Sequence, residues 1–418
     1  MTALGKIYDV AIAGAGPAGT SAAIHLAAGG RRVLLVEQKK FPRAKLCGEF
    51  ISPECFDHFN RLGVGDAMLS AGGARLTETS FYSRRGSKVT VPSQWFANDA
   101  TAIGLSRAEM DSLLLERAKE VGVTVMEDAH VSDVILDGKR VCGILLKNDG
   151  EKAEHRARVT IDATGRSRAL ARRIPKGGSS QGSGKTPQRS RLIAFKAHLE
   201  NASVASGVCE IYFYPGGYGG LSSVEGGLSN LCFIASAKDV RRCGSDPEAV
   251  IRSIVFRNSR AAETLSNAHT RTDWLSVTLE SFGRHHLIPA EGLLTIGDAA
   301  AFIDPFTGSG MLMALESGAV AAEAILDHGT RLDLEDEFKE LGDTYRTCYS
   351  RAFNSRLRVS GLLRRAAFVP RLAEAAMIFF GVSDRLRRKV AQATRPSLKS
   401  KSPAAVVSSS TSTLKSLE

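Results

Sequence analysis

Residues 7–37 read IYDVAIAGAGPAGTSAAIHLAAGGRRVLLVE, and this stretch decides the fold class. The apolar run of residues 7–13 is bounded by glycine, which is typical of a buried strand. Residues 17–28 carry mostly small side chains and predict a helix, and residues 32–37 form a second apolar run. A strand, a tight turn, a helix and a second strand predict the βαβ opening of a parallel sheet, and hence an α/β fold.

The turn after the first strand carries three glycines in the spacing Gly-x-Gly-x-x-Gly, at Gly14, Gly16 and Gly19. The first glycine permits the tight turn, the second lets the backbone approach a pyrophosphate, and the third lets helix and strand pack closely. Unpaired N–H groups at the helix N-terminus then face the phosphates. Glu37 ends the second strand, where a carboxylate suits a ribose 2′-hydroxyl. The pattern predicts dinucleotide binding, with Ala18 as a further contact.

A second motif, residues 293–311, reads LLTIGDAAAFIDPFTGSGM. It resembles the second FAD fingerprint of the two-domain flavoprotein oxidoreductases typified by the aromatic hydroxylases. The resemblance implies that Asp298 binds the ribityl chain of FAD. It also implies that three residues of the following loop and helix N-terminus lie at the flavin ring, namely Gly308, Gly310 and Met311. A helix N-terminus at that place would stabilise negative charge on reduced flavin.

The pairing of the two motifs favours FAD over NAD as the bound dinucleotide. Only one Gly-x-Gly-x-x-Gly stretch occurs in the sequence, so a separate NADPH-binding domain is not expected. Electrons are then expected to come from NAD(P)H or from a partner electron donor. No metal site is expected, because His285-His286 lacks a third ligand at a useful spacing and the 7 cysteines contain no Cys-x-x-Cys pair.

Residues 41–53 read FPRAKLCGEFISP and resemble the segment after the second strand in the geranylgeranyl reductase group of this flavoprotein family. In that group a Lys-x-Cys-Gly element runs along the FAD. The matching residues of this chain are Lys45, Cys47 and Gly48. Arg107 and Val131 match two further positions of the family that contact FAD, the second through its backbone at the adenine. The Phe-Pro-Arg and Gly-Glu parts of the segment also resemble flavin-dependent halogenases, which lack the cysteine.

Two residues of this segment have alternative roles. Cys47 is either a thiol that tunes the flavin or a small side chain that packs closely against it, and packing is favoured. Glu49 is either a proton donor or a surface carboxylate, and the sequence does not separate the two. No catalytic residue is assigned from the sequence.

Residues 215–219 read PGGYG and resemble the element that lies over flavin and substrate in the geranylgeranyl reductases. The family continues with tryptophan, an apolar residue, phenylalanine and proline, whereas residues 220–223 of this chain are GLSS. The bulky wall is missing, so a wider or differently shaped cavity is expected. The same glycines also suit a hairpin turn between strands. The residues predicted to contact a hydrophobic substrate are Tyr218, Gly219 and Leu221.

A chain of 418 residues is long enough for two or three domains. The predicted organisation is a discontinuous Rossmann-like FAD-binding domain (1–70, 100–175 and 284–330), a substrate domain with an inserted antiparallel β-sheet (71–99 and 190–283), C-terminal helices (331–394) and a disordered tail (395–418). Within the first domain, strands at 131–136, 139–146 and 154–161 predict a β-meander. Residues 172–191 predict a mobile loop, and residues 246–266 predict a helix.

The formal net charge of +11 lies almost entirely in residues 351–401, which hold 13 basic and 2 acidic residues. Residues 355–394 alternate apolar side chains with arginine. One interpretation is an amphipathic helix on an anionic membrane surface, and another is contact with a carrier protein or a phosphorylated substrate. The favoured interpretation is a helix packed on the core by one face, with solvated arginines on the other. No RNA- or DNA-binding motif is present, so nucleic acid is not an expected partner.

Three functions remain open from the sequence. The first is an FAD-dependent reductase that transfers hydride to a carbon–carbon double bond of a hydrophobic small molecule. The second is a monooxygenase in which reduced FAD captures O2 as a C4a-hydroperoxide and oxygenates an aromatic or polyketide substrate, with a halogenase disfavoured because its W-x-W-x-I-P element is absent. The third is a non-catalytic FAD-binding scaffold. The reductase is favoured because the Lys-x-Cys-Gly element and the PGGYG element occur together. The cysteine pattern predicts a cytoplasmic protein, either free or associated with a membrane surface. No membrane-spanning helix is expected, because no apolar run reaches ~18 residues.

Overall fold

The computed structural model describes residues 7–96, 101–148, 151–175, 192–279, 282–329, 335–367 and 383–395. The described strands are β1 (Tyr8–Ala13), β2 (Val33–Val36), β3 (Phe50–Ile51), β4 (Ala74–Leu76), β5 (Glu78–Tyr82), β6 (Lys88–Pro92), β7 (Ala102–Gly104), β8 (Thr124–Met126), β9 (His130–Asp137), β10 (Arg140–Asn148), β11 (Glu151–Asp162), β12 (Leu192–Glu200), β13 (Val208–Tyr214), β14 (Gly217–Ser223), β15 (Ser229–Ser236), β16 (His269–Thr270), β17 (Leu275–Leu279), β18 (Gly283–Arg284), β19 (Leu293–Thr295) and β20 (Ala301–Phe302). The described helices are α1 (Pro17–Ala28), α2 (Cys55–Leu62), α3 (Gly65–Ser70), α4 (Arg107–Glu120), α5 (Ala237–Arg242), α6 (Pro247–Ser253), α7 (Ser259–Thr264), α8 (Gly310–Asp327), α9 (Glu335–Ala367) and α10 (Asp384–Ala393).

The first large sheet has the parallel core that the opening stretch of sequence predicts. Its strand order is β8-β2-β1-β11-β10-β9, and β19 pairs in parallel with β11. Because β1 is parallel to both β2 and β11, the carboxyl ends of these strands meet at one edge. Antiparallel β9, β10 and β11 form the predicted β-meander. Helix α1 packs against α8 through small buried side chains that belong to the main hydrophobic core.

The second large sheet has the order β16-β12-β15-β14-β13-β5-β6, with β17 paired to β12. Its pairs are antiparallel except for β5 and β13, which run in parallel. One face packs against α5, α6 and α7 through an apolar core that includes Phe233, Leu221 and Val250. The other face looks toward the first sheet. The predicted fold class is therefore confirmed, namely a Rossmann-like α/β sheet with a β-meander, an inserted antiparallel sheet and C-terminal helices.

Strand β14 differs from the hairpin-turn interpretation of its glycines. Only Pro215 and Gly216 lie in the turn, and the strand begins at Gly217. The glycine-rich stretch pairs residue by residue with β13 on one side and β15 on the other, so that Tyr218 lies opposite Ile234. The backbones of β13 and β15 supply hydrogen-bonding partners on both sides of β14. This pairing outweighs the low strand propensity of its glycines and serines.

The predicted helix at 246–266 is interrupted and forms the two short helices α6 and α7. Asn258 lies between them and is fully buried. Its side-chain amide donates hydrogen bonds to the carbonyl oxygens of Tyr82, Ser83 and Phe213, and its Oδ1 accepts from the backbone N–H of Ala261. The Asn258 side chain thus caps α7 and anchors it to the second sheet. The single helix predicted at 246–266 is therefore interrupted before Asn258.

Helix α9 packs on the core by one face in its N-terminal part, before the basic segment; within that segment Arg356 is buried and Leu362 is exposed, which differs from the favoured interpretation. Tyr345, Tyr349 and Phe353 on that face are buried, and the Tyr345 hydroxyl donates to the Thr295 carbonyl at 2.7 Å. Arg395, the first residue of the predicted disordered tail, is instead buried, because its guanidinium pairs with Glu54 at 3.3 Å. The rest of that tail and residues 176–191 of the predicted mobile loop lie outside the described residues. No described helix has the length and apolar composition that crossing a membrane requires.

A half-buried histidine on α2, His58, is expected to make the protein sensitive to mild acid. Burial, followed by the positive charges of Arg61 and His25, lowers the pKa of His58 from 6.5 to about 4, and Arg356 acts in the same direction against Asp57. The unfolded chain therefore binds a proton that the folded chain refuses between these two values, and stability falls as the pH drops through that window.

Replacing His58 with glutamine is expected to reduce the slope of the unfolding free energy against pH by up to about 1.4 kcal/mol per pH unit. Urea unfolding between pH 7 and pH 4 measures the effect. The control His269→Gln replaces an exposed histidine. An unchanged slope in the His58 variant, or an equal change in both variants, would contradict the assignment.

Candidate active site

A cavity of about 710 Å³ lies between the two large sheets. The two sequence motifs, which are almost 300 residues apart in the chain, both reach its walls. The predicted FAD residues that line it are Gly14, Gly16, Ala18, Glu37, Lys45, Cys47, Gly48, Arg107, Val131, Asp298, Gly308, Gly310 and Met311. Gly19 does not line the cavity. The fold thus brings all but one of the predicted FAD residues to a single surface.

The first and third glycines of the turn are required by the protein's own packing. Gly14 has a φ of 103°, and a Cβ at that position would lie 2.4 Å from the carbonyl oxygen of Ala163. A Cβ at Gly19 would lie 1.9 Å from the carbonyl oxygen of Gly14. Gly14 therefore permits the turn, and Gly19 permits the close contact of α1 with β1 rather than contact with a ligand.

The second glycine has no such packing reason. Gly16 has φ −77° and ψ −179°, angles that any residue adopts. The atom nearest to a Cβ at this position would be Arg107 Nη2, at 3.8 Å. Gly48 and Gly310 also lie on the cavity wall with room for a side chain and without a left-handed φ. These glycines keep open a space that the protein does not fill, which is what a cofactor lying against the backbone requires.

Glu37, at the carboxyl end of β2, is buried beside the glycine turn. Its carboxylate accepts a hydrogen bond from the Ala15 N–H at 3.1 Å and one from Arg43 at 3.3 Å. The side chain therefore holds the turn in place as well as lining the cavity. A contact with the ribose of a dinucleotide stays a prediction, and the sequence pattern gave no sign of the link to Arg43.

Positive charge is concentrated at the part of the cavity nearest the glycine turn. Arg43, Lys45, Arg107 and Arg166 all line it. Arg107 makes two hydrogen bonds of 2.7 Å to Asp111, which also pairs with Arg43 at 3.2 Å. Burial, and then the charges of Arg43 and Arg107, lowers the pKa of Lys45. Cations that crowd one another on a cavity wall in this way favour an anionic ligand, and a diphosphate has the required charge.

The distal motif supplies a helix N-terminus at the opposite end of the same cavity. Helix α8 begins at Gly310, and no side chain caps its first N–H groups. Gly308, with a φ of 60°, turns the preceding loop along the cavity wall. Asp298 lies nearby, where burial raises the pKa of its carboxyl against the opposing charge of Arg166. The open helix end favours negative charge, such as that on a reduced flavin ring.

Glu49 is buried rather than on the surface, which excludes one of its two interpretations. Its side chain is 1% exposed and accepts from Lys196 Nζ at 2.9 Å and pairs with His198 Nε2 at 2.6 Å. It also accepts from the Arg107 N–H at 3.0 Å. Burial alone would raise the pKa of Glu49, but the bond to His198 and the charge of Lys196 outweigh it and lower the pKa. Glu49 is therefore a carboxylate at neutral pH and holds no proton to donate.

Cys47 has the environment of a packed thiol. Burial raises the pKa of its thiol, and the neighbouring Glu49 acts in the same direction while Arg107 opposes both. The Cys47 Sγ accepts a hydrogen bond from the Glu49 N–H at 3.4 Å, and its carbonyl oxygen accepts from Asn230 on β15. The neutral thiol is a poor nucleophile, so close packing remains the favoured interpretation.

The wall formed by the second sheet follows the alternation of side chains along β14. Tyr218, Gly220 and Ser222 line the cavity. Gly219 and Leu221 point to the opposite face, where Leu221 is buried in the core with α5, α6 and α7. Of the three residues predicted to contact substrate, the structure therefore brings only Tyr218 to the cavity. The reason is the two-residue period of a strand, which a turn would not impose.

The remaining wall comes from the C-terminal helices, which the sequence did not place at the site. Leu362 and Leu363 of α9 and Val390 and Ala391 of α10 line the cavity. They face apolar side chains of the second sheet, among them Phe81, Val91 and Phe213. Arg395, just after α10, donates to the Gly308 carbonyl at 3.4 Å. The helices thus complete an apolar chamber and are attached to the flavin-side loop.

The residues present fit FAD. The glycine turn around Gly16 exposes backbone to the cavity beside the four cations, and an open helix N-terminus, that of α8, lies at the other end of the same cavity. Arg43, Asp111 and Arg166 belong to this arrangement although the sequence patterns did not indicate them. Among the described residues, no three His, Cys, Asp or Glu side chains cluster as a metal site requires.

Known proteins resemble the chain over most of its length. It is 27% identical over 380 residues to a menaquinone reductase of Mycolicibacterium smegmatis, which covers 88% of this chain and 88% of the relative. It is 26% identical over 364 residues to digeranylgeranylglycerophospholipid reductase 2 of Methanopyrus kandleri, with 84% and 86% covered. The solved structure of a flavin-dependent brominase superimposes with a TM-score of 0.75 at 24% identity and covers 93% of each chain, which shows a shared fold.

The match to a protein family extends over the region that contains both motifs and both large sheets. The model of the family described as FAD binding domain matches residues 7–327, more than half of the chain. The chain therefore belongs to the FAD binding domain family and is an FAD-dependent enzyme of the oxidoreductase or monooxygenase type.

Proposed function

We propose that this enzyme reduces a carbon–carbon double bond of a hydrophobic small molecule, in the manner of the geranylgeranyl reductases that residues 41–53 resemble. The observation that carries the proposal is one continuous cavity, in which the predicted FAD residues and an apolar chamber share walls. Two relatives are named as reductases, one of menaquinone and one of a digeranylgeranylglycerophospholipid. Both names describe apolar substrates, which such a chamber suits.

The cofactor site is part of the same proposal. The FAD contacts proposed are the predicted residues that line the cavity, with Gly19 kept as a packing residue. Bound FAD, once reduced by NAD(P)H or by a partner electron donor, supplies a hydride to one carbon of the double bond. The chain's apolar walls hold the substrate against the flavin and exclude water, which protects the reduced cofactor from side reactions.

The second carbon of the double bond needs a proton, and Tyr218 is the proposed donor. Tyr218 lines the cavity, and its hydroxyl donates to Asp304 Oδ1 at 2.5 Å. Burial raises the pKa of the Asp304 carboxyl, although the bond from Tyr218 opposes the shift. Arg364, which is 31% exposed, lies 2.9 Å from the other oxygen of Asp304. Burial, and then the charge of Asp304, also raises the pKa of the Tyr218 hydroxyl, so Tyr218 keeps its proton at neutral pH, and Asp304 and Arg364 link it to the surface.

A second candidate is a flavin-dependent monooxygenase or halogenase of an aromatic or polyketide substrate. The likeness of fold to the brominase favours it, as does the space left where Gly220 replaces a bulky residue. A halogenase is disfavoured because no described lysine stands in an identifiable halogenase context. Among the described residues, the lysine that lines the cavity is Lys45, and it lies on the cofactor side. Lys196 is bound to Glu49 and does not line the cavity. This arrangement favours the reductase.

The distinguishing experiment uses FAD-loaded enzyme reduced anaerobically by a chemical reductant. Mixing with a polyprenyl alcohol or with menaquinone is expected to restore the absorbance of oxidised flavin and to give a product with two hydrogen atoms added to its isoprenoid chain, as located by fragmentation in mass spectrometry and as distinct from reduction of a quinone ring to the quinol. A parallel sample receives O2 and bromide with an aromatic substrate. Product that contains oxygen or bromine, together with no reduction of either apolar substrate, would establish the second candidate instead.

A matched pair of tyrosine variants is the control for this experiment. Tyr218→Phe and Tyr214→Phe each remove one buried hydroxyl that donates a hydrogen bond, to Asp304 and to the Ile234 carbonyl respectively. Only Tyr218 lines the cavity. The Tyr218 variant is expected to keep its FAD and to lose about 100-fold in kcat, the usual contribution of one proton donor. Equal losses in both variants would indicate a structural effect.

A further inference from the structure

The apolar chamber opens at the surface beside helix α9. Leu362 lines the chamber and is 64% exposed, so it lies at an opening. Its neighbour in the chain, Leu363, also lines the chamber and is only half-buried. On the other side of the opening, α10 contacts both α9 and β6 and contributes Val390 and Ala391 to the wall. The two C-terminal helices therefore frame an entrance, and a large apolar side chain stands at it.

The exposed face of α9 around Leu362 is basic. Arg351, Arg358 and Arg365 are exposed, and at 100° per residue they fall within about 60° of Leu362 on the helix surface. Residues 351–367 contain no aspartate or glutamate. On α10 the exposed residues include three more cations, Arg385, Arg388 and Lys389. We call these six cations and Leu362 the entrance rim.

We propose that the entrance rim docks on the surface of a bilayer that contains anionic phospholipid, so that an apolar substrate passes from the membrane directly into the chamber. The inference rests on the proposed function, because a hydrophobic substrate is what requires such a route. Its geometry is that of an interfacial contact, with cations around one exposed leucine and with no described helix suited to span the membrane.

The charges of the rim decide between a lipid surface and a protein partner. Each cation near an anionic bilayer contributes about fivefold in binding, and the effect is screened by salt. A leucine that enters the acyl boundary adds about tenfold and is not screened. An acidic carrier protein would use the cations but would have no need of a leucine directed outward at the mouth of the chamber.

The test is co-sedimentation of the full-length, FAD-loaded enzyme with vesicles, in the absence of substrate. Vesicles of phosphatidylcholine with about 30 mol% phosphatidylglycerol are expected to bind the enzyme, and those of phosphatidylcholine alone are expected to bind it weakly. The triple variant Arg351→Gln, Arg358→Gln, Arg365→Gln is expected to lose on the order of 100-fold in binding. Leu362→Ser is expected to lose about tenfold and to keep the salt dependence.

The control triple variant is Lys238→Gln, Arg241→Gln, Arg242→Gln, which removes the same charge from exposed positions on α5. It is expected to bind vesicles like the wild type. Absence of binding to anionic vesicles, or equal losses in the two triple variants, would overturn the docking proposal. Since the assay needs no turnover, reduction of a detergent-dispersed substrate without vesicle binding would overturn docking alone, and vesicle binding without reduction would overturn only the proposed reaction.

Discussion

Replacing Gly16 with valine is expected to abolish FAD binding while the apoprotein stays folded. The backbone angles at this position suit any residue, and a Cβ there meets no protein atom closer than 3.8 Å. The valine side chain would instead occupy the space against which the predicted pyrophosphate lies. We expect FAD affinity to fall by about 100-fold or more, since the lost contacts and the overlap exceed about 3 kcal/mol.

The measurement is the ratio of flavin to protein absorbance after purification, with calorimetric titration of FAD into apoprotein. Thermal unfolding of the apoprotein should change by no more than about 1 kcal/mol, because valine is only a poorer residue than glycine at a helix N-cap. Gly361→Val is the matched control, since a Cβ at Gly361 meets no neighbour within 4 Å and Gly361 does not line the cavity. A Gly16 variant that retains its flavin would refute the placement of FAD.

Neutralising Glu49 is expected to cause the largest loss of stability of any single isosteric change near the site. Lys196 is 3% exposed, and Glu49 is its acidic partner, at 2.9 Å. In Glu49→Gln the ammonium group remains buried without a counter-charge. Breaking such a pair from one side costs about 3–5 kcal/mol, whereas replacing both members by neutral residues is often nearly neutral.

The double variant Glu49→Gln, Lys196→Met is therefore expected to recover more than half of the lost stability. Urea unfolding of the apoproteins measures both changes. The pKa of Glu49 is lowered by folding from its ordinary value of 4.5, so its contribution is present above that pH and is lost as the pH falls through the folded value. The difference in unfolding free energy between the wild type and Glu49→Gln should become smaller in that acid range. Additive losses in the double variant would show that the two residues do not act as a pair.

The sequence predicted those parts of the fold and site that depend on local pattern. The turn at Gly14 and Gly19, the helix at 17–28 and the distal Gly297-Asp298 strand end each lie within a few residues of the signal that predicts them. Local steric and hydrogen-bonding rules were sufficient for these features.

The features that the sequence missed depend on contacts between distant residues. Nothing near Glu49 indicates that Lys196, 147 positions away, is its partner. The sequence offered a hairpin turn as one interpretation of Gly216–Gly220 and did not predict the strand at 217–223, because glycine and serine have low strand propensity and the neighbouring strands outweigh that preference. Leu221 was assigned to the substrate from the family resemblance of residues 215–219, which does not show which face of the strand a side chain occupies. The wall supplied by α9 and α10 follows from tertiary packing, which composition does not encode.

The pairing of β19 with β11 has a consequence for how this chain is made. The edge of β11 at Thr160–Asp162 is completed only by Leu293–Thr295. At a usual ribosomal rate, the intervening chain of about 130 residues takes on the order of 10 s to synthesise. Until then the nascent chain exposes an open sheet edge, a common origin of wrong pairing, and one end of the cofactor cradle has not yet emerged. Flavin can act as a folding ligand only late in translation.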